Sequence, residues 1–253
     1  MPSFNEDRAD VITRAREAGV GTIISVGVDL SSSQQAIALA ETYAEVMAAV
    51  GFHPHNVTSV GEPDIAKLDQ LAKHPRVVAI GETGLDFHRN YSPKEAQLRA
   101  FEWQLELAVR LDLPVVIHCR QAEREMLPLL RDWVSRHKGR GGQPRGVIHC
   151  FNGDFDTAQQ YLDMDFFISF GAYIGYPASS KMYDVIRSIP KDRLVMETDS
   201  PFLPPQSRRG RRNEPAYLPQ VLARLAEIRQ VSPEVITIET TRNAHRLFCL
   251  SGD

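Results

Sequence analysis

The chain has 253 residues, of which 43% are hydrophobic and 24% charged, a composition typical of a globular protein rather than a disordered or fibrous one. Its formal net charge of -3 excludes a global positive field that would attract nucleic acid, so any binding of a polyanion must be local. No apolar run is long enough to predict a membrane span, and the first residues lack the basic-then-apolar pattern of an export signal.

Apolar runs of strand length alternate with amphipathic stretches along the whole chain. The strand candidates are residues 22–28, 46–52, 77–82, 114–118, 146–150, 166–170 and 194–199. The helix candidates between them include residues 6–18, 33–44, 64–73, 93–111, 122–137 and 157–164. Continuous runs of Val and Ile are typical of parallel strands covered on both faces. The repetition, without a Pro/Gly/Ser-rich linker, predicts an α/β fold in a single domain, residues 1–253.

The number of strands constrains the architecture. A closed (β/α)8 barrel needs eight strands, and the pattern supplies seven. The chain also opens on a predicted helix, with Asn5 as its cap and Gly19 as its end, whereas a barrel normally opens on a strand. A barrel lacking one strand would expose two unpaired edges. The pattern therefore predicts either an open doubly wound sheet or a TIM-barrel-like fold whose first strand is missing from this chain.

Ionisable side chains stand at the ends of four predicted strands. His118 and His149 end two successive strands in "PVVIHCR" and "RGVIHCF", at positions of equal parity, so we expect both imidazoles to point the same way. Glu82 ends the strand in "VVAIGETGLD", and Asp199 ends the strand in "LVMETDSP". Chemistry in a barrel gathers at the carboxyl ends of its strands. Two imidazoles and two carboxylates there predict a site for a divalent metal such as Zn, Mn or Mg.

Several motifs occur together in a fixed order: "GFHPH" (51–55), "GETGLDF" (81–87), "VIHCR" (116–120), "GVIHCF" (146–151), "METDSPFL" (196–203), "NEP" (213–215) and "TTRNAHRLF" (240–248). This ordered set resembles the TatD-type metal-dependent deoxyribonucleases, a branch of the amidohydrolase superfamily. The resemblance extends from Phe4 over essentially the whole chain. It implies a distorted (β/α)8 barrel and hydrolysis of DNA phosphodiester bonds, often from the 3′ end, as in a 3′–5′ exodeoxyribonuclease.

The resemblance also implies a role for each ligand candidate. Glu82 would bridge two divalent ions, and His118 and His149 would complete the shell of the second ion. Asp199 would bind the first ion and act on the attacking water, so Asp199 and Glu82 are the catalytic candidates.

One family motif has no counterpart. The family opens with a strand carrying Asp-x-His-x-His, and nothing in "MPSFNEDRADVITRAREAGV" supplies it. A start codon assigned too far downstream, a truncated gene, or a segment supplied by a partner would each account for this, and the intact remaining site favours the first. For the chain as given, we expect about one tightly bound metal ion and weak hydrolysis of DNA.

Other residues are candidates for contact with substrate. His53 and His55 in "GFHPH" predict either a contact with a substrate phosphate or a simple turn at the strand end. Arg120 follows His118 and could meet a phosphate or lie in solvent. Arg209 and Arg211 belong to "SRRGRR", which suits a DNA backbone, although such runs are often only solvated. "NEP" is typical of a helix start, with the Asn as cap.

Two other functions remain open at the level of sequence. The same metal site would serve a small-molecule amidohydrolase or phosphoesterase of this superfamily, or a binding protein of weak catalytic power. DNA is the expected partner, without a membrane or an obligate protein partner. The three cysteines form no Cys-x-x-Cys pair and are typical of free thiols, so we expect a cytoplasmic protein.

Overall fold

The computed structural model describes residues 2–137, 141 and 143–250. Seven strands within that part of the chain form one sheet in the order of the sequence, and the pairs β2–β3, β3–β4, β4–β5 and β6–β7 run parallel. They are β1 (Ile23–Val26), β2 (Val46–Val50), β3 (Val77–Asp86), β4 (Val115–Arg120), β5 (Gly146–Ile148), β6 (Phe166–Phe170) and β7 (Leu194–Met196). A doubly wound sheet reverses its strand order part-way, whereas this sheet does not. The predicted TIM-barrel-like α/β fold is confirmed.

Helices separate the strands. They are α1 (Arg8–Glu17), α2 (Leu30–Thr42), α3 (Glu62–Ala72), α4 (Lys94–Leu111), α5 (Glu123–Arg136), α6 (Phe155–Asp163), α7 (Tyr183–Ser188), α8 (Leu218–Arg229) and α9 (Pro233–Phe248). Short 3-10 turns include Pro54–Asn56 after β2 and Pro215–Tyr217 before α8. None of the described helices combines the length and apolar composition needed to cross a membrane.

The chain divides into two compact units, which are described separately below. The first unit comprises Met1–Ile23, Cys150–Gln159 and Ile168–Ala244, and the second comprises Ile24–His149, Gln160–Phe167 and His245–Asp253. That the whole chain is a single domain stays a prediction.

In the second unit, β3 is longer than its apolar run predicts. The sequence places Glu82 at the end of this strand, but β3 continues to Asp86, so Glu82 lies inside it. The pairing of β3 with β4 is irregular between Ile80 and Thr83. Gly84 has a φ of 135°, and a Cβ atom there would lie 2.0 Å from the carbonyl oxygen of His118. Only glycine permits this approach of the backbones, which places β3 directly beside the end of β4.

The register between β4 and β5 agrees with the predicted parity of the two histidines. Val116 pairs with Val147 and Ile117 with Ile148. The backbone N–H of His149 donates to the carbonyl of Ile117 at 2.9 Å, which extends the pairing one residue past β5.

In the first unit, α1 is fastened by ion pairs rather than by the predicted Asn5 cap. Arg14 donates to both carboxylate oxygens of Glu214, at 2.8 and 3.0 Å, and lies 3.2 Å from Asp7. Arg212 contacts the same two carboxylates, at 2.6 and 2.9 Å. The Asn5 side chain instead accepts a hydrogen bond from Arg8.

Candidate metal and nucleic-acid site

The Glu82 carboxylate of the second unit is the point on which three imidazoles converge. Its Oε1 atom lies 3.0 Å from His118 Nδ1, 3.4 Å from His53 Nε2 and 3.8 Å from His149 Nε2. Two donors bound to one ion at about 2.0–2.2 Å each are separated by roughly 3–4 Å, so the spacings of His118 and His149 from Glu82 fit a bound divalent metal. The donor atoms of His53, Glu82 and His118 all lie within 4.8 Å of one another. The structure thus brings Glu82, His118 and His149 together.

The electrostatics of Glu82 follow from this environment. Burial alone would raise the pKa of its carboxyl group. The charge of His149 and hydrogen bonds from His118 and His53 outweigh burial and hold the pKa of Glu82 well below its ordinary value. The carboxylate is therefore ionised at neutral pH, as a metal ligand must be.

A second carboxylate, Asp86, lies beside these residues and was not among the residues predicted from the sequence. We refer to the group of side chains as the Glu82 cluster; its members are His53, His55, Glu82, Asp86, His118 and His149. It is fully buried, and its Oδ2 atom lies 2.8 Å from His55 Nε2 and 3.1 Å from His118 Nε2. Its Oδ1 atom accepts the backbone N–H groups of His88 and Arg89, at 3.0 and 2.8 Å. The His118 ring therefore contacts Asp86 through Nε2 and Glu82 through Nδ1. A carboxylate on the far nitrogen is the usual partner of a metal-binding imidazole.

These contacts shift the pKa values of the cluster in opposite directions. Burial would raise the pKa of Asp86, but hydrogen bonds from His118, the Arg89 backbone and His55 lower it. Burial would lower the pKa of His118, but Asp86 and Glu82 raise it to about 9. His55 behaves differently, since burial outweighs its bond to Asp86 and lowers its pKa. Without a metal ion, His118 is therefore protonated and positively charged at neutral pH.

The ring orientation of His53 is fixed by the turn that follows β2. The backbone N–H of His55 donates to His53 Nδ1 at 3.1 Å. That nitrogen must be unprotonated, so in the neutral ring the proton lies on Nε2, which faces Glu82. His53 is a hydrogen-bond donor toward the carboxylate.

Asp199 lies in the first unit, three residues after the end of β7. It has a φ of 56°, and its carbonyl accepts the N–H of Phe202 at 2.8 Å. Because Asp199 and Glu82 belong to different units, their predicted proximity stays a prediction.

The loop that carries Asp199 is held by Asn213, whose role the sequence did not indicate. The Asn213 side chain is fully buried and donates to the carbonyls of Thr198 and Phe202, at 2.6 and 2.7 Å. Its backbone N–H donates to the carbonyl of Pro201 at 3.0 Å. The predicted role of Asn213 as a helix cap is wrong, because α8 begins only at Leu218. Asn213 instead fastens the backbone on both sides of Asp199.

Replacing Asn213 with Ala should lower the free energy of unfolding by about 2 kcal/mol, because the carbonyls of Thr198 and Phe202 would lose the donor that the buried amide supplies. Urea unfolding monitored by circular dichroism measures this. Asn5→Ala, which removes an exposed amide of the same unit, should change the stability by less than about 0.5 kcal/mol. Equal effects from the two variants would contradict the role assigned to Asn213.

The arginines singled out from the sequence lie on the surface. Arg120, at the end of β4, is exposed. Arg209 and Arg211 are exposed in the first unit, and the Arg209 guanidinium lies 4.5 Å from the centre of the Tyr176 ring. The fourth arginine of that run, Arg212, is engaged in the ion pairs that hold α1.

Comparison with known proteins identifies the family of the chain. A family model described as TatD related DNase matches residues 1–249. The chain is 38% identical over 245 residues to the uncharacterized metal-dependent hydrolase YabD of Bacillus subtilis, covering 97% of this chain and 94% of that one. It is 38% identical over 250 residues to the 3'-5' ssDNA/RNA exonuclease TatD of Klebsiella pneumoniae, covering 97% and 93%.

A solved structure shows the same fold. The TatD homolog YjjV from Escherichia coli K12 matches with a TM-score of 0.91 and 32% identity, over 99% of this chain and 95% of that one. A TatD family hydrolase from Entamoeba histolytica matches with a TM-score of 0.85 and 25% identity, over 97% and 90%.

Proposed function

Since the chain belongs to the TatD related DNase family and is a hydrolase of the TatD type, we propose that it is a metal-dependent 3′–5′ exonuclease acting on single-stranded DNA. The observation that carries the proposal is the approach of three imidazole nitrogens to one carboxylate oxygen, Glu82 Oε1. The relative named as an exonuclease supports the choice of nucleic acid as substrate.

Glu82, His118 and His149 are the residues that would hold a divalent ion such as Zn, Mg or Mn. A bound ion supplies a hydroxide nucleophile near neutral pH and neutralises charge on the scissile phosphate. Asp86 accepts the Nε2 proton of His118 and so directs Nδ1 toward Glu82. This arrangement fixes the imidazole in the tautomer that a metal ion needs.

His53 differs from these ligands in its protonation. Its Nδ1 accepts a backbone N–H, so its Nε2 carries a proton and cannot coordinate a cation in that tautomer. This proton faces Glu82 in the free protein. We assign His53 the role of donating it to a non-bridging oxygen of the substrate phosphate once substrate is bound. The Nε2 atom of His55 is already hydrogen-bonded to Asp86. His53 is therefore the better candidate for a phosphate contact.

Asp199 is assigned the role of general base toward the attacking water. Its loop is fastened by Asn213, which limits the movement of the carboxylate. Arg120, Arg209 and Arg211 are assigned to the backbone phosphates of the bound strand. Each phosphate contact contributes to a loss of affinity with rising salt.

Metal affinity should depend on pH in a direction set by His118. In the metal-free protein the pKa of His118 is raised to about 9, so a proton must leave before the ring can bind an ion. Affinity should therefore rise about tenfold per pH unit from about pH 7 to about pH 9 and then level off.

Calorimetry in buffers of different ionisation enthalpy measures this affinity and counts the protons released. In Asp86→Asn the pKa of His118 should fall, so the rise in affinity should end at a lower pH. An affinity that stays constant between pH 7 and pH 9, with no proton release, would contradict the assignment of His118 as a ligand.

The proposed function is tested with a 5′-labelled single-stranded oligonucleotide, incubated with Mg, Mn or Zn salts and resolved on a denaturing gel. Stepwise shortening from the 3′ end, lost on chelation, is the expected result. The same preparations are assayed on a panel of small esters and amides. Hydrolysis of that panel without cleavage of DNA would support a small-molecule hydrolase instead, and binding of DNA without any hydrolysis would support a binding protein.

A further inference from the structure

An exposed tyrosine stands on a fastened loop beside the Glu82 cluster. The loop after β3 carries four consecutive exposed residues, His88 to Tyr91, and the Tyr91 side chain is 63% exposed. Asp86 fastens the start of the loop by accepting the N–H groups of His88 and Arg89. The strong exposure of Tyr91 is therefore combined with a backbone that is held at its beginning.

The end of the loop is held as firmly. Ser92, next to Tyr91, is 1% exposed, and its hydroxyl donates to the carbonyl of His55 at 3.0 Å and accepts the N–H of Val57 at 3.2 Å. The fully buried amide of Gln97 donates to the carbonyl of Ser92 at 2.9 Å. A large aromatic ring is thus presented to solvent from a backbone fixed on both sides. Single exposed apolar residues are common, so a role for Tyr91 is indicated by the residues beside it rather than by its exposure.

A row of rings leads from Tyr91 to the Glu82 carboxylate. The centre of the Tyr91 ring lies 4.8 Å from that of His55, at an interplanar angle of 76°. The His55 ring lies 4.3 Å from the His53 ring, whose Nε2 is 3.4 Å from Glu82 Oε1. A nucleotide bound along this row would have its phosphate at the Glu82 end and its base at the Tyr91 end.

We propose that Tyr91 is a base-stacking residue, which receives the base of a nucleotide whose phosphate lies at the Glu82 cluster. The inference rests on the proposed function and narrows its substrate class to phosphodiesters that carry a flat base beside the reacting phosphate. Stacking on an aromatic ring accepts every base, because every base has a π-face. Arg89 and Arg120 are exposed in the same unit, where their charge suits the phosphates of a single strand.

Three matched oligonucleotides test the proposal: one is normal, and two carry a single abasic nucleotide, at the last or at the second-to-last position of the 3′ end. For the wild-type protein, one abasic position should lower kcat/KM by about 5- to 100-fold. Tyr91→Ala should show a similar decrease in kcat/KM on the normal oligonucleotide. An abasic nucleotide should then lower the kcat/KM of this variant little further. Tyr91→Phe should retain the wild-type discrimination. The change should lie mainly in KM, since stacking positions the strand without touching the reacting atoms.

Two further measurements separate the possible failures. Binding of a fluorescent oligonucleotide in the presence of chelator should weaken in Tyr91→Ala, which reads out stacking without catalysis. Ile238→Ala, which removes an exposed apolar side chain from α9, should change neither measurement. A Tyr91→Ala protein that distinguishes normal from abasic DNA as the wild type does would overturn the stacking role alone. A wild-type protein that cleaves no oligonucleotide with any of the three metals would overturn the proposed function, and this inference with it.

Discussion

Replacing Asp199 with Asn should lower the rate of DNA hydrolysis by about 10²–10⁴-fold, the range in which a positioned general base contributes. The amide has nearly the shape of the carboxylate but cannot take a proton from water. Binding of a single-stranded oligonucleotide should change little, so the loss should appear in kcat. A radiolabelled exonuclease assay under single-turnover conditions measures the effect.

The backbone makes Asp199→Asn a clean substitution. Asp199 has a φ of 56°, a conformation in which Asp and Asn are both enriched among non-glycine residues. Asn213 and the backbone N–H of Phe202 hold the loop through backbone carbonyls, and these contacts do not involve the Asp199 side chain. Urea unfolding of the variant checks that a loss of activity does not come from a loss of stability.

Asp192→Asn is the matched control for Asp199→Asn. Asp192 lies in the same unit, with its side chain 57% exposed and paired with Arg193. Its replacement should leave hydrolysis within about twofold, because exposed ion pairs contribute little. If Asp199→Asn retained full activity, either the nuclease would be a contaminant or Asp199 would not be the base.

The strands were predictable because burial on both faces leaves a direct trace in composition. All five residues of β6 (Phe166–Phe170) are buried, and the apolar run has the same bounds as the strand. The end of β3 was not predictable in this way. Glu82 and Asp86 are polar, so the apolar run stops at Glu82, although the strand continues through Gly84 with an irregular register.

The sequence pattern was enough to predict that Glu82, His118 and His149 lie close together, but it did not indicate Asp86. His118 and His149 end equivalent apolar runs, and parity relates them across neighbouring parallel strands. Asp86 follows "TGL" (83–85), and an Asp in this local sequence is typical of a turn. Its contacts with His55 and His118 join residues 31 and 32 positions away, and they depend on a β3–β4 register that the local sequence does not reveal.

Asn213 and Arg212 illustrate the same limit. "NEP" has the composition of a helix start, and "SRRGRR" has the composition of a solvated basic loop. In the structure, the Asn213 side chain donates to the carbonyls of Phe202 and Thr198, 11 and 15 positions earlier. Arg212 donates to the Asp7 carboxylate, 205 positions earlier. Buried hydrogen-bonding groups find partners wherever the fold supplies them, so their roles follow from tertiary structure rather than from local pattern.

Glu82→Gln should weaken metal binding and hydrolysis by at least about 10²-fold, because it removes an anionic ligand itself, and loss of only a ligand's hydrogen-bond partner already costs about 10–100-fold. Gln has almost the same volume as Glu but no charge. In the wild type three imidazole nitrogens face Glu82 Oε1, and an amide in its place can accept a hydrogen bond but cannot balance a cation. Metal titration followed by the nuclease assay measures both effects.

The pKa of His118 shows whether the loss of metal binding in Glu82→Gln comes from the missing charge rather than from altered packing. Glu82 and Asp86 together raise the pKa of His118 to about 9 in the metal-free protein. In Glu82→Gln one of those charges is gone, so the pKa of His118, followed by NMR of the histidine ring, should fall. Stability linked to this proton is present below the pKa of an unfolded His and is lost as pH rises through the folded value. The variant should therefore lose this part of its stability at a lower pH than the wild type does.

Glu106→Gln provides the matched control for Glu82→Gln, because it too removes a glutamate that faces an imidazole of the second unit. Glu106 Oε1 lies 3.1 Å from His137 Nε2, but the Glu106 side chain is 45% exposed. Solvent screens that pair, so metal affinity and hydrolysis should both stay within about twofold of wild type. If Glu82→Gln bound metal as tightly as Glu106→Gln, the convergence of three imidazoles on Glu82 would be a hydrogen-bonded polar core rather than a metal site.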